Sequence, residues 1–504
     1  MGIAGRTYSV RKNPISTFFP SPIEKEPNTD IIVDTRNADR RKTMSQKHSG
    51  LTVHTEGSPW RLLLLFSLPL MAGNIFQQMY TVVDTAVVGR VLGVDALAAL
   101  GTVDWLNWLT LGTIQGFTQG FSILMAQRFG AGDFVRLRKT AASAILLSAL
   151  CGVLMTIGSE VMAEPVTALL RVPAEIRPIA IDYLRVLFAG LPVVTAYNLA
   201  ASMLRALGDG RTPLTAMVAA SLTNIALDFW FVMGFHWGVR GAAAATIIAQ
   251  CLAAGCCILR LCRVEALRLK KEDWAFDGPL WGLLMKLGLP MALQNTIIAV
   301  GGMIIQTIVN GFSVAFIAGF TATNKLYGVL EVAATSYGYA MTTYAGQNLG
   351  AGKLERISQG MRSGLVIALA TSAAISAAML GGGQWVLSWF IPTGTAQSGE
   401  ALEVALRYLS LMSVCLPVLY VLHLTRSCIQ GLGNTLLPMV SGISEFVMRT
   451  GGALLLPAVL EGTGVMCAEV LAWLGADLIL VPSYFYVMNK VRRLQTPEKG
   501  AEQS

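Results

Sequence analysis

The chain has 504 residues, of which 54% are hydrophobic and only 13% are charged, and its mean hydropathy is +0.57. That balance excludes a soluble globular protein of this size and places the chain in a bilayer. The formal net charge of +8 is accounted for by membrane topology, as shown below, so it calls for no nucleic-acid partner.

Residues 1–56 are polar, carry Pro, Ser, Asn and both signs of charge, and show no apolar period, so a disordered tail without a secretory signal is expected. From residue 57 the chain reads as apolar runs of roughly 18 residues or more. Six of them lie near 61–85, 97–126, 140–162, 178–204, 213–233 and 241–260. Another six follow near 280–309, 315–345, 363–382, 400–425, 437–459 and 463–488. The expected fold is an all-α integral membrane protein with twelve transmembrane helices in two pseudo-symmetric six-helix bundles. Its expected parts are an N-lobe over 57–260, an inter-lobe linker over 261–279, a C-lobe over 280–490 and a tail over 491–504.

An even number of spans leaves both ends on one side. The loops on that side hold 19 Lys and Arg, against Arg90, Arg171, Arg177 and Arg240 on the other, which predicts cytoplasmic termini and linker in the plasma membrane. The two halves repeat each other. AQRFGAGD at 126–133 matches GQNLGAGK at 346–353, and Gly208–Pro213 corresponds to Gly433–Pro438. Such a duplication is the mark of a transporter with its substrate between two lobes.

Ionisable groups inside apolar helices are expensive and mark function. The N-terminal half holds Asp84 at the end of helix 1, Asn224 and Asp228 four apart on helix 5, and Thr246 near the outer start of helix 6. At ~1.5 Å per residue, Asp228 and Thr246 both lie about 22 Å from the inner surface of a core about 30 Å thick. This set of two carboxylates, an amide and a hydroxyl suits Na⁺ through its oxygens and equally suits a proton. On the repeat register Asp84, Asn224 and Asp228 meet Ile305, Arg449 and Ala453, so only one lobe carries the acids. Gln77 lies two turns before Asp84 on nearly the same face; with Asn198 it is the candidate substrate contact. Met79, Tyr80 and Met203 are further candidates for the lobe interior. In the C-terminal half, Glu445 and Arg449 are four apart and read as an ion pair within one helix. The eight cysteines read as small core hydrophobes.

Competing motifs fail. QNLGAGK lacks the spacing of a phosphate-binding P-loop, so no ATPase is encoded. GAGD at 130–133 matches a string of intramembrane aspartyl proteases, but no Tyr-Asp partner is present and the repeat mate of Asp133 is Lys353. The scattered histidines build neither a zinc site nor a nucleophile triad. No enzyme and no cofactor is expected.

YTVVDTAVVGRVLG with ALAALG beyond it, RALGDGRTP, SLTNIALDFW, GVRGAAAATIIAQ, YAGQNLGAGK and GLGNTLLP with SGISEFVMR together resemble the multidrug and toxic compound extrusion (MATE) transporters. The resemblance spans about residues 60–490. It implies a V-shaped pair of six-helix bundles, working as a monomer without an ATPase subunit, that exports organic cations or amphipathic xenobiotics against inward H⁺ or Na⁺. In DinF-like members the N-lobe cation site is a helix 1 aspartate, an Asn and Asp four apart on helix 5, and a helix 6 threonine; Asp84, Asn224, Asp228 and Thr246 match all four. The alternative is a flippase for lipid-linked oligosaccharides, whose anionic pyrophosphate calls for a cavity lined with Arg and Lys.

Overall fold

The computed structural model describes residues 51–169, 172–389, 391 and 396–495. The expected tails over 1–50 and 496–504 lie outside the described residues. The N-terminal half folds as α1 (Pro59–Val91), α2 (Val94–Ala131), α3 (Phe134–Leu169), α4 (Arg177–Ala189), α5 (Leu191–Ala206), α6 (Arg211–Asp228) and α7 (Gly238–Cys262). A π-helical turn, Phe229–Gly234, follows α6. The C-terminal half folds as α8 (Gly278–Val309), α9 (Val314–Gly350), α10 (Leu354–Leu387), α11 (Ala396–Gly431), α12 (Leu436–Leu455), the single turn α13 (Pro457–Leu460) and α14 (Gly462–Gln495).

The helices begin where the chain supplies acceptors for their free N–H groups. Asp277 accepts from Leu280 N at 3.1 Å to start α8, and the Ser313 hydroxyl accepts from Phe316 N at 3.2 Å to start α9. α4 and α5 form one path bent by 48°, with Pro192 in the first turn of α5, where its missing N–H costs nothing.

Among the described residues, nine helices are long and apolar enough to cross a membrane, or ten if the α4–α5 pair is one span. The helices that fall short by hydropathy are α2 and α9, both read as apolar runs from the sequence. They pack where the lobes meet: α2 against α8 and α9, and α9 against α1. Their polar residues, among them Asn107, Gln115 and Gln119 on α2, face that interior rather than lipid. α2 and α8 approach closely through small residues. A Cβ on Gly116 would lie 2.4 Å from the Ala292 Cα.

The duplication is visible in the backbone. Gly132 and its mate Gly352 have φ of 73° and 72°, and Gly208 and its mate Gly433 have 83° and 85°, left-handed values that explain why glycine recurs at both places. It is visible also in a seam across the lobes at the end of the bundle where α1 begins. Gln127 Nε2 donates to Gly431 O at 3.0 Å, while its mate Gln347 donates to Ala206 O at 2.9 Å. Each lobe thus satisfies a carbonyl at a helix end of the other.

Residues 51–56, expected within the disordered tail, are ordered along this seam. Thr52 N donates to Gly208 O in the N-lobe. His54 N donates to Gln347 Oε1 at 2.9 Å, Asn348 Nδ2 donates to His54 O at 3.1 Å, and Lys353 Nζ donates to Thr55 O at 2.9 Å, all in the C-lobe. Polar backbone pairing orders this strap, so it carries no apolar period in the sequence. The linker after α7 packs on the N-lobe through buried Ala266 and Leu267 and through an Arg138–Asp273 ion pair at 3.2 Å.

Candidate substrate cavity and ion site

The N-lobe encloses a cavity of about 140 Å³. α1 contributes Asn74, Gln77 and Tyr80; α2 contributes Asn107, Gln115 and Gln119; Asn198 and Arg205 come from α5, Thr246 and Gln250 from α7, and Tyr339 enters from α9 of the other lobe. Gln77 and Asn198, singled out in the sequence, therefore both line it. Met79 does not: it is 57% exposed. Met203 is buried in the packing of α5.

The four candidate ion ligands lie in the same lobe. Asp84, Asn224 and Asp228 are 8%, 1% and 0% exposed. The Asp84 and Asp228 side chains are close neighbours. Asn224 Nδ2 donates to Thr246 Oγ1 at 3.3 Å. Four buried oxygens, Asp84 Oδ1, Asn224 Oδ1 and both of Asp228, receive no hydrogen bond from any donor. Each unsatisfied buried acceptor costs about 1–3 kcal/mol, and two bare carboxylates side by side repel, so the arrangement calls for a positive occupant. A void of about 10 Å³, bounded by Tyr80, Asn224, Thr246 and Gln250, has about the room of one water or small ion. Asp228 makes no cap hydrogen bond to the π-helical turn that follows it, so its placement is not explained as a helix terminus.

Neither aspartate lines the larger cavity. Thr246, Tyr80 and Gln250 border both spaces. Tyr80 and Gln250 are readable at helical spacing, four residues before Asp84 and four after Thr246. Arg205 is masked in the sequence by its place at the head of the repeated GDGRTP segment, and Tyr339 carries no local signal because it comes from the opposite lobe.

In the C-lobe, the expected pairing of Glu445 with Arg449 is present at 3.0 Å, and it is part of a longer chain. Arg426 pairs with the other Glu445 oxygen at 2.7 Å, and Arg449 also pairs with Glu469 at 2.8 Å. Asp133, of the protease-like string, instead accepts from Arg136 N at 2.9 Å in the first turn of α3.

The family model MatE matches residues 69–230 and 290–454, one stretch in each half. The chain belongs to the MatE family. It is a membrane transporter and not an enzyme. Probable multidrug resistance protein YpnP of Bacillus subtilis is 29% identical over 308 residues, covering 60% of this chain and 68% of the relative. An FAD transporter of Shewanella oneidensis is 26% identical over 306 residues, covering 60% and 68%. A crystal structure of MATE in complex with MaL6 superposes with a TM-score of 0.81 at 23% identity, covering 88% of this chain and 99% of that one. The MATE fold is therefore that of this chain across nearly all its described helices.

Proposed function

We propose that this MATE protein is an ion-coupled exporter of amphipathic organic molecules. A proton or Na⁺ binds at Asp84, Asn224, Asp228 and Thr246, and cargo binds beside it in the cavity that Gln77 and Asn198 line. The observation that carries the reading is the convergence of four donorless buried oxygens from α1 and α6 next to a polar cavity that Thr246, the partner of Asn224, also lines. Relatives named for multidrug resistance and for FAD transport support small organic cargo over a lipid-linked precursor. The single arginine of the cavity also argues against that precursor, whose pyrophosphate would need several cations.

In this reading twelve helical paths cross the plasma membrane, both termini are cytoplasmic, and the seam closes the inner face. Cargo and ion exchange by rocking of the lobes. Because the aspartates stand outside the cavity lining, their coupling to cargo runs through α1, which carries Gln77, Tyr80 and Asp84 on one face, rather than through direct charge contact. A coupling of a few kcal/mol is enough for antiport.

The test uses everted vesicles carrying a proton gradient reported by a quenched dye, with organic substrates added with and without Na⁺. Substrate-dependent dequenching without Na⁺ is expected for a proton exchanger, and a response that appears only with Na⁺ for a Na⁺ exchanger. Asp228→Asn, folded and inserted, should reduce the response by about 100-fold or more. An undiminished response in that variant removes the ion site from the mechanism.

A further inference from the structure

The cargo class follows from what the cavity wall contains. No Asp or Glu lines it, whereas seven carboxamides do, together with one guanidinium. Arg205 stands at the end of α5, half-buried, with its guanidinium 4.9 Å from the centroid of the Tyr339 ring and Nη2 on Ser202 Oγ at 2.8 Å. Among the described residues no carboxylate forms an ion pair with it; the nearby Asp209 is taken by Arg260 at 3.1 Å. The repeat register makes the contrast plain, since Gln430, the mate of Arg205, is a neutral amide bonded to Gln294 at 3.3 Å. In the C-lobe the buried arginines Arg426 and Arg449 are both neutralised by carboxylates. Arg205 therefore faces the cavity without a carboxylate partner among the described residues.

A guanidinium presents a planar fork that matches a carboxylate or phosphate, carboxamides donate to and accept from the edge of a polar ring, and Tyr80, Tyr197 and Tyr339 offer aromatic faces and edges for stacking. A hydrophobic cation could use the tyrosine faces but would be repelled by Arg205. We infer that the cavity takes an aromatic molecule bearing an oxyanion, with the carboxylate or phosphate on Arg205 and the ring among the carboxamides and tyrosines. This deepens the export reading above and rests on this cavity being the transport path. It also fits a coupling that runs through α1, because an anionic cargo has no reason to compete for charge with an ion at Asp84 and Asp228.

Two dyes with the same xanthene ring and opposite charge test it. Fluorescein and rhodamine 123 are titrated by fluorescence polarisation against the full chain in lipid nanodiscs. The wild-type protein is expected to bind fluorescein about tenfold or more tightly than rhodamine 123, and Arg205→Gln to weaken fluorescein about tenfold while changing rhodamine 123 less than about threefold. Arg205→Lys, which keeps the charge but not the fork, should retain a weakened preference for fluorescein and guards against a folding defect in the glutamine variant. Tighter binding of rhodamine 123, fluorescein binding indifferent to Arg205→Gln, or no binding of either dye by folded protein overturns the inference. The vesicle assay separates the two readings. Rhodamine 123 moving in an Asp228-dependent way while fluorescein does not sinks the oxyanion site and leaves export standing; fluorescein bound through Arg205 but never moved sinks export and leaves the site.

Discussion

Asn224 and Thr246 form the most economical part of the proposed ion site, because the amide nitrogen is spent on the threonine hydroxyl and the amide oxygen is left free to face a cation. Thr246→Val keeps the shape and deletes that partner. With one hydrogen bond or ligand worth about 1.5 kcal/mol, the H⁺ or Na⁺ activity giving half-maximal transport should rise about tenfold with little change in the limiting rate; an unchanged ion dependence would take Thr246 out of the site. The C-lobe acids answer to a different logic. Glu445 holds two arginines at once, with side-chain exposures of only 6–9% across the three residues, so Glu445→Gln strands the buried Arg426 and leaves Arg449 with Glu469 alone. Removing one partner of a buried pair costs about 3–5 kcal/mol, and the variant should melt at a clearly lower temperature in detergent, whereas a purely functional role for Glu445 would cost rate and leave melting alone.

At the scale of elements, the strap over 51–57 is where sequence and structure part most sharply. Apolar periodicity identifies α1, α3, α7 and α10 with ease, since each buries one stripe and shows lipid another, and the spacing of Asp84, Asn224, Asp228 and Thr246 makes their shared lobe legible. The strap, Tyr339 and the orientation of Arg205 escape because each depends on chain segments far apart in sequence. His54 reports on the strap directly. It is fully buried against Phe66, with ring centroids 4.8 Å apart, and neither ring nitrogen finds a partner. Desolvation pushes its imidazole down to about 4 from the ordinary 6.5. The unfolded chain therefore binds more protons between those values, and stability rises with pH across that window. The contribution, on the order of 3 kcal/mol, is complete above about pH 6.5 and is lost as the pH falls toward 4. Melting curves in detergent at pH 4.5 and 7.5 should show the loss in the wild type, and a His54→Phe variant should show a smaller difference between the two; equal pH dependence in both would mean that protonation of His54 leaves the strap in place.

The whole molecule is organised by the pseudo-two-fold relation of its halves, and the seam is where that relation bears on transport. Gln127 and Gln347 cross in opposite directions, each to a carbonyl at a helix end in the other lobe, so the closed state gains twice from one duplicated residue. In the proposed rocking of the lobes both bonds must break together, so the duplication would make closure at this seam cooperative. A buried hydrogen bond contributes about 1 kcal/mol net, which is a factor of about five in the ratio of closed to inward-open molecules. Gln127→Leu and Gln347→Leu should each raise the inward-open population about fivefold, and the double variant about 25-fold if the two act independently. The readout is the rate at which a membrane-impermeant maleimide, applied from the side of the termini, modifies a cysteine placed at Asn198 in protein whose native cysteines have been replaced. A double variant no more reactive than either single one would mean that the first break already releases the seam, and no acceleration in any of the three would mean that the bonds across the lobes are not what holds the inner face shut.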